Sequence, residues 1–331
     1  MTVKVGIIGY GTSGAFFHAP MIDAVDGLQL TSIASSRVDA IKHDYPDVNV
    51  TTTDDLLSQP DIDLIVIAAP TNVHYELTKA ALEADKHVVV DKPFVVTSRE
   101  AKDLMALAKQ KNKLLAVYQN RRWDGDFLTI QQLIKAGTFG KLNYFESHFD
   151  RYRPTVDASR WREQAKPGSG LLYDLGAHLI DQALVLFGKP DWVKADIAKQ
   201  RPNAVVDDYF HIIMAYDTLR VVLHTSSIVK APGPRFTLHG DKGSFIKRGF
   251  DPQEVLLRKG KRPNDDPTWG EDDPKNYGTL TIDDNPQKIK PQSGDYREFY
   301  RQVYRSITQA EPFPVTSEQA IDLITLIESL K

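Results

Sequence analysis

VKVGIIGYGTSG, residues 3–14, is the stretch that decides how the chain begins to fold. Its first six residues are mostly apolar, which is typical of a buried strand, and a helix-like stretch follows its last glycine. The glycines stand at G-x-G-x-x-G spacing between strand and helix, which indicates a dinucleotide-binding turn; a structural turn without ligand is the alternative. The predicted cofactor-binding residues of this turn are Gly9, Tyr10, Gly11, Thr12, Ser13 and Gly14.

Each glycine of this turn has a physical role. Gly9 permits the tight turn, Gly11 leaves room for a pyrophosphate, and Gly14 lets helix and strand pack closely. The N–H groups at the start of the helix offer hydrogen bonds to the anion. We therefore predict that the chain binds a nicotinamide cofactor.

The end of the second predicted strand distinguishes between the two nicotinamide cofactors. Turns that bind NAD carry Asp or Glu about 20 residues further on, where it holds the ribose 2′-hydroxyl. Here the strand 28–34 ends in Ser35, Ser36 and Arg37, so no carboxylate would repel a 2′-phosphate. This pattern favours NADP over NAD. In the alternative, Arg37 is an exposed helix residue that at most stacks on the adenine.

The composition excludes several classes of protein. With 331 residues, of which 41% are hydrophobic and 26% charged, the chain is predicted to form two globular domains. Because it has no cysteine, disulfides, thiolate nucleophiles and cysteine-bound metals are excluded. A net charge of −3 gives no reason to expect nucleic acid or an anionic membrane as a partner. No apolar run has the length of a membrane span and no secretory signal is recognisable, so we expect a cytoplasmic protein.

Short apolar runs and helical patterns alternate up to residue 118, which predicts a parallel sheet covered by helices on both faces. Strands then follow one another without helices between them, which predicts antiparallel pairing. The predicted fold class is α/β: a Rossmann domain at residues 1–120, and an α+β domain with an open, mostly antiparallel sheet at residues 121–331. The second domain is expected to bind substrate and form oligomers, with its C-terminal helix a candidate to pack on the first domain. The stretch 261–276 is predicted to be an exposed loop or a lid.

Polar and turn-forming residues follow further strands of the predicted parallel sheet. Ligands of such sheets bind at the carboxyl ends of the strands, so these residues are candidates to contact the ribose and the nicotinamide. Ordinary loop polarity is the alternative explanation. The candidates are Pro70, Thr71, Asn72, His74, Lys92, Pro93 and Asn120.

Lys92 is the first candidate catalytic residue. It stands between Asp91 and Pro93 just after an apolar strand, so its ammonium group is expected at the sheet edge where the nicotinamide would lie. A cation there would stabilise the oxygen of a reacting hydroxyl. A surface lysine after a strand is the alternative.

A second candidate cluster consists of Asp174, His178 and Asp181. Their spacings of four and three residues predict that they share one face of a helix. An aspartate beside a histidine supports the imidazolium form, which is the arrangement needed to move a proton to and from a hydroxyl. His178 is therefore the predicted acid–base residue and Asp174 its support; a helix-capping Asp174 and a structural His178 are the alternatives. No metal site is predicted, because further ligands are not visible near the cluster.

Substrate-binding candidates come from stretches that combine arginine with aromatic residues. Such pairs suit a polyol or a sugar, and they equally suit a domain or subunit interface. The candidates are Trp123, Tyr152, Arg153 and Trp161.

Four motifs in a fixed order resemble those of a known family. They are the glycine turn with FHAP at 17–20, PTNxH at 70–74, DKP at 91–93, and GxxxDxGxHxxD at 170–181. Over nearly the whole chain they resemble the Gfo/Idh/MocA oxidoreductase family. The runs VDKPF at 90–94 and QNRRWD at 119–124 are similar to its NADP-linked scyllo-inositol dehydrogenase-like members.

This resemblance implies a Rossmann domain and an open-sheet domain, with homodimers or homotetramers formed through the open sheet face. The family's lysine, aspartate and histidine map onto Lys92, Asp174 and His178, and Asp91 stands where many members have glutamate. The implied activity is NAD(P)-dependent hydride transfer, NADP favoured, between the cofactor and a secondary hydroxyl or ketone of a cyclic polyol or sugar. A related carbonyl substrate and a non-catalytic dinucleotide-binding sensor on the same fold are the alternatives.

Overall fold

The computed structural model describes all residues from Met1 to Lys331. The chain divides into two compact units. Unit 1 consists of residues 1–120, 253–269 and 296–325, and unit 2 of residues 121–252, 270–295 and 326–331. Residues 253–269 and 296–325 therefore pack with unit 1. The domain boundary predicted from the sequence, after residue 120, places them in the second domain.

Unit 1 contains a six-stranded sheet in the order β3-β2-β1-β4-β5-β6. Every neighbouring pair in it is parallel. This is the strand order of a dinucleotide-binding Rossmann sheet, and the predicted fold of the first domain is confirmed. The strands are β1 Val3–Ile8, β2 Leu28–Ala34, β3 Asn49–Thr51, β4 Leu64–Ile67, β5 His87–Val90 and β6 Leu115–Val117.

Helices lie between and after these strands. A helix with apolar residues on one face can bury that face against the sheet. In Ser98–Gln110 the apolar face, Ala101, Leu104, Met105 and Ala108, is buried, and a capping box of Thr97 and Glu100 begins the helix. The helices up to residue 110 are α1 Ala19–Asp23, α2 Val38–Asp44, α3 Thr53–Ser58, α4 His74–Glu83 and α5 Ser98–Gln110. The later helices are α6 Gly125–Lys135, α7 Ala177–Phe187, α8 Gln253–Arg258, α9 Arg297–Gln309 and α10 Ser317–Ser329.

Unit 2 contains an eight-stranded sheet in the order β14-β13-β12-β11-β7-β10-β9-β8. Its pairs are antiparallel except β7 with β10, which is parallel. The predicted mostly antiparallel sheet is therefore confirmed. Its strands are β7 Leu142–His148, β8 Trp192–Ala198, β9 Tyr209–Tyr216, β10 Leu219–Ser226, β11 Phe236–Gly240, β12 Gly243–Lys247, β13 Gly278–Ile282 and β14 Asn285–Ile289.

The two faces of this sheet differ in composition. Phe145 of β7 is fully buried and its ring lies 5.3 Å from that of Phe187 in α7, so this face carries the core of unit 2. Side chains one position along the strands point to the opposite face. That open face includes Trp192 and Ile246, which are 42% and 38% exposed.

The stretch 261–276 contains two short 3₁₀ turns and three buried residues, Pro263, Trp269 and Gly270. Trp269 is 5% exposed, and its indole N–H donates to Oε1 of Gln253 at 3.2 Å. The prediction of a simply exposed loop is therefore wrong at Trp269, which is fixed to the first residue of α8. No helix in either unit has the length and apolar character that a membrane span requires.

Candidate active site

The glycine turn lies where the strand order of the Rossmann sheet reverses, between β1 and β4. Gly9 has φ +100°, and a Cβ there would lie 2.7 Å from the carbonyl oxygen of Ala68, just beyond β4. A Cβ on Gly14 would lie 2.2 Å from the carbonyl oxygen of Gly9. The tight turn and the close helix packing therefore both require glycine at these positions.

Gly11 differs from its two neighbours, because a Cβ there would meet no atom within 4 Å. The N–H of Ala15 donates to the carbonyl oxygen of Gly11 at 2.9 Å, and the helix then begins as a π-helical turn at Gly14–His18. The turn thus combines open space with the start of a helix, which is the cradle that a pyrophosphate would fill. The residues present fit a nicotinamide dinucleotide.

Substitutions of two of these glycines are expected to separate cofactor binding from folding. Gly11→Val should fold normally but bind NADPH at least about tenfold more weakly, a loss of about 1.4 kcal/mol, because the side chain fills the cradle. Gly14→Ala should lower stability by about 1–3 kcal/mol, because its Cβ overlaps a backbone oxygen. Fluorescence titration with NADPH and thermal denaturation measure the two effects. Unchanged NADPH affinity in Gly11→Val would contradict the assignment of this turn.

The side chain of Tyr10 is buried and hydrogen-bonded. It is 2% exposed, and its hydroxyl donates to Oδ2 of Asp44 at 2.7 Å. Burial, and then the bond to Asp44, raise the pKa of this phenol. The phenol is therefore held against the last residue of α2, and a contact of Tyr10 with the cofactor stays a prediction.

The end of β2 carries the hydroxyl and guanidinium groups that the sequence predicts for a 2′-phosphate site. The N–H of Arg37 donates to Oγ of Ser35 at 3.2 Å, and Arg37 is the residue that precedes α2. Ser36 and Arg37 are exposed. The guanidinium group can therefore reach a ligand without losing a buried partner.

His74 is held at both of its ring nitrogens. Its Nδ1 lies 3.0 Å from the carbonyl oxygen of Pro93, and its Nε2 lies 2.9 Å from that of Ala69. The residue is 1% exposed. Because backbone carbonyls lie within hydrogen-bond distance of both ring nitrogens, His74 joins the segments after β4 and β5, and its contact with a cofactor stays a prediction.

The other predicted residues at these strand ends lie where a ligand of the Rossmann sheet would be expected. Thr71 begins a 3₁₀ turn at Thr71–Val73 and is buried, whereas Pro70 and Asn72 are exposed. Asn120 is 5% exposed and starts a 3₁₀ turn beyond β6. Their contact with a cofactor stays a prediction.

Lys92 follows β5 and is held at its backbone. The N–H of Lys92 donates to Oδ1 of Asp91 at 2.7 Å, and Asp91 is 6% exposed. Oδ1 of Asp91 in turn lies 4.0 Å from Nε2 of His18. The Asp91 carboxylate therefore fixes the start of the segment that carries the candidate catalytic lysine.

His18 belongs to a buried group that the sequence analysis did not assign. Its Nδ1 lies 2.7 Å from the hydroxyl oxygen of Tyr300, and its ring packs 4.2 Å from that of Tyr118. Burial lowers the pKa of His18 to about 4, against the opposing effect of Asp91, so the ring is neutral at physiological pH. The sequence signal was a histidine within the otherwise apolar stretch 15–22.

In unit 2, Asp174 lies in a π-helical turn, Leu172–Gly176, that leads directly into α7. Its Oδ1 lies 3.1 Å from Nε of Arg162, and its Oδ2 lies 3.9 Å from a guanidinium nitrogen of Arg151. His178 stands in the first turn of α7 and is 5% exposed. The structure therefore places both predicted residues at the beginning of one helical segment, with arginines beside the aspartate.

Asp207 holds the N-terminus of this segment. Its Oδ2 accepts the N–H of Leu172 at 2.7 Å, and its backbone oxygen accepts the N–H of Leu171 at 3.0 Å. Gly170 has φ +91°, and a Cβ there would lie 2.2 Å from Oδ1 of Asp207. The glycine before the segment is thus required by the close approach of this carboxylate.

Asp181 does not share the role of Asp174. Nε and one terminal nitrogen of Arg122 donate to its two oxygens at 2.9 and 2.7 Å, and both side chains are buried. This is a bidentate ion pair inside unit 2. Asp181 therefore anchors α7, and only Asp174 and His178 of the predicted cluster remain candidates for chemistry.

The predicted substrate residues all lie in unit 2. Tyr152 is 51% exposed and pairs through its backbone with Ile228. The N–H of Arg153 donates to the carbonyl oxygen of Ser227 at 2.7 Å. Trp161 begins the short turn Trp161–Glu163. Trp123 ends the 3₁₀ turn Asn120–Trp123 and is partly exposed. Their binding to substrate stays a prediction.

Two family models match the chain. One, described as oxidoreductase family, NAD-binding Rossmann fold, matches residues 3–119. The other, described as oxidoreductase family, C-terminal alpha/beta domain, matches residues 131–331. The chain belongs to the Gfo/Idh/MocA oxidoreductase family. The predicted resemblance is therefore confirmed, as is the predicted class of NAD(P)-dependent dehydrogenase.

Relatives of this Gfo/Idh/MocA chain have similar length and fold. The scyllo-inositol 2-dehydrogenase (NADP(+)) of Bacillus subtilis is 44% identical, over 99% of this chain and 92% of the relative. The inositol 2-dehydrogenase of Rhizobium meliloti is 26% identical, over 78% of this chain and 80% of the relative. A solved oxidoreductase structure from Bacillus subtilis has a TM-score of 0.95 and 44% identity, and covers 99% of this chain and 95% of that chain.

Proposed function

We propose that this oxidoreductase interconverts a secondary hydroxyl and a ketone of a cyclic polyol or sugar, with NADP as the cofactor. The main support for this proposal is the open space at Gly11, which suits a pyrophosphate. The same chain also contains the candidate catalytic residues Lys92, Asp174 and His178. Two inositol dehydrogenases among the relatives support an inositol-like substrate. The name of the Bacillus subtilis relative supports NADP.

Three side chains would move the proton and stabilise the charge that develops in this reaction. When bound, the nicotinamide supplies the hydride acceptor for the carbinol carbon. His178 takes the hydroxyl proton as general base, and Asp174 supports the resulting imidazolium ion. Lys92 donates a hydrogen bond to the oxygen as it becomes a carbonyl. Ketone reduction uses the same groups in reverse, with His178 giving its proton to the oxygen.

Spectrophotometry with a substrate panel tests this proposal. The purified protein with NADP or NAD is mixed with scyllo-inositol, myo-inositol or aldoses, and absorbance of the reduced nicotinamide is followed. Turnover with a cyclic polyol and NADP is expected. Tight NADP binding without turnover on any polyol or sugar would contradict the proposal and favour a dinucleotide-binding sensor.

Arg37→Ala is expected to weaken NADP about 10- to 100-fold, the value of one or two lost charge-assisted hydrogen bonds, and NAD by much less. The reason is that only NADP carries the 2′-phosphate. Arg99→Ala is the matched control, because that side chain is 91% exposed on α5. Dissociation constants from fluorescence titration decide the matter, and equal losses for both cofactors would exclude Arg37 as the phosphate ligand.

The proposed assembly is a homodimer or homotetramer that uses the open face of the eight-stranded sheet. The exposed Trp192 and Ile246 on that face support this proposal, because large apolar side chains are enriched at subunit contacts. Light scattering of the purified protein gives the mass that tests it.

A further inference from the structure

Three metal-ligand side chains meet on the open face of the eight-stranded sheet. The ligand atoms of His148, Asp150 and His224 all lie within 4.8 Å of one another. His148 and His224 are paired in the register of the parallel strands β7 and β10. Because Phe145 faces α7, the alternation along β7 places His148 on the opposite face. The cluster therefore lies apart from the helix that carries Asp174 and His178.

The spacing of the ligand atoms suits a single ion. Nδ1 of His148 lies 3.0 Å from Oδ2 of Asp150, and Nε2 of His224 lies 3.5 Å from Oδ1 of Asp150. In a tetrahedral site with metal–ligand bonds of about 2.0–2.1 Å, neighbouring ligand atoms are roughly 3.3 Å apart. Small side-chain rotations would therefore bring all three groups into coordination.

Both histidines are also held at the ring nitrogen that faces away from the cluster. Nε2 of His148 lies 2.7 Å from Oε1 of Glu146, and Nδ1 of His224 lies 3.4 Å from Nδ1 of His211. A carboxylate on the far nitrogen is the usual partner of a metal-binding histidine, because it fixes the ring orientation and raises its basicity. Glu146 supplies that partner to His148.

The local charge favours a cation. The carboxylates of Glu146 and Asp150 lie 2.7 and 3.0 Å from the two ring nitrogens of His148, so two negative charges stand beside the ligand atoms. The N–H of Ser226 donates to Oδ1 of Asp150 at 3.1 Å and so orients the carboxylate. The side chains of His148 and His224 are 23% and 15% exposed in the single chain, so an ion can reach them before chains assemble through this face.

We propose that His148, Asp150 and His224 bind one divalent transition-metal ion of the Zn²⁺ type, with water in the remaining coordination position. Imidazole and carboxylate ligands suit Zn²⁺, Co²⁺ and Ni²⁺ better than Mg²⁺ or Ca²⁺, which prefer oxygen ligands alone. Glu146 orients His148 in this site. The ion would join β7 to β10, the parallel pair of the sheet, and would act on stability instead of on hydride transfer.

Metal titration of the chelator-treated, full-length protein tests this site. Calorimetry with ZnCl₂ and the visible absorbance of added CoCl₂ report binding and geometry. We expect one ion per chain in the wild type and at least about tenfold weaker binding in both His224→Gln and Asp150→Asn. His239→Gln is the matched control: it lies on the same face and bonds Ser244, and it should bind the ion as the wild type does.

Thermal denaturation supplies a second readout that is independent of enzyme activity. Saturating Zn²⁺ should raise the melting temperature of the wild type and of His239→Gln, and should raise it less in the two cluster variants, because an ion that binds only the folded state stabilises it. Circular dichroism of the metal-free variants checks that they fold, and Glu146→Gln, which keeps all three ligands, should bind the ion more weakly than the wild type. The proposal is overturned if the wild type binds neither Zn²⁺ nor Co²⁺. It is equally overturned if folded His224→Gln and Asp150→Asn bind them as tightly as the wild type.

Discussion

Lys92→Ala is expected to lower kcat by about 10²- to 10³-fold, the loss seen when one donor to a developing oxyanion is removed. The fold should be retained, because the bond from the backbone N–H of Lys92 to Asp91 survives the substitution. Steady-state kinetics with the polyol that turns over, and NADPH titration, separate the effect on chemistry from any effect on cofactor binding. Lys102→Ala, at an exposed position of α5, is the control.

A double substitution makes this test sharper. His178→Gln should also reduce kcat strongly, since proton transfer by a positioned residue contributes about 10²- to 10⁴-fold. If Lys92 and His178 act on the same hydroxyl, the double variant should lose much less than the product of the two single losses. Wild-type turnover in Lys92→Ala, or fully multiplicative losses, would refute the shared role.

Asp181→Ala is expected to reduce the free energy of unfolding by about 3–5 kcal/mol, because it leaves the buried Arg122 guanidinium without its carboxylate. Asp174→Ala is the matched comparison, since Arg162, its partner at 3.1 Å, is 38% exposed. That change should cost about 1 kcal/mol or less. Urea denaturation measures the stability of both variants. At a temperature where both are folded, Asp174→Ala should lose more activity than Asp181→Ala.

A paired replacement shows whether the loss comes from the unpaired charge. Arg122→Met combined with Asp181→Leu removes both charges and keeps the volume apolar, so it should be more stable than Asp181→Ala. Equal stability of Asp181→Ala and Asp174→Ala would contradict the anchoring role of Asp181.

Much of unit 1 was predictable because its signals are local. The second strand has the predicted bounds, Leu28–Ala34, since it is a short run closed by turn-forming residues. The glycine turn was predictable for the same reason. Backbone geometry at Gly9 and Gly14 excludes larger residues regardless of what the rest of the chain does.

The roles of His74 and Asp181 could not be predicted, because their partners come from elsewhere in the chain. Arg122 is 59 residues from Asp181, and nothing near either residue indicates the other. The prediction that Asp174, His178 and Asp181 share one face of a helix also requires about 3.6 residues per turn. The turn at Leu172–Gly176 is π-helical and has more residues per turn than an α-helix. Asp174 therefore does not follow the roughly 3.6-residue spacing of α7.

Unit 1 needs residues from three separate parts of the chain, and this has a consequence for its biosynthesis. Phe299 and Tyr300 of α9 pack against Tyr118, and Tyr300 bonds His18. At about 5–20 residues per second, a ribosome needs roughly 10–35 s to make the chain between residue 120 and α9. During that interval the nascent nucleotide-binding sheet leaves this aromatic surface uncovered. The surface around Tyr118 and His18 is therefore open to non-native contacts until α9 has emerged from the ribosome.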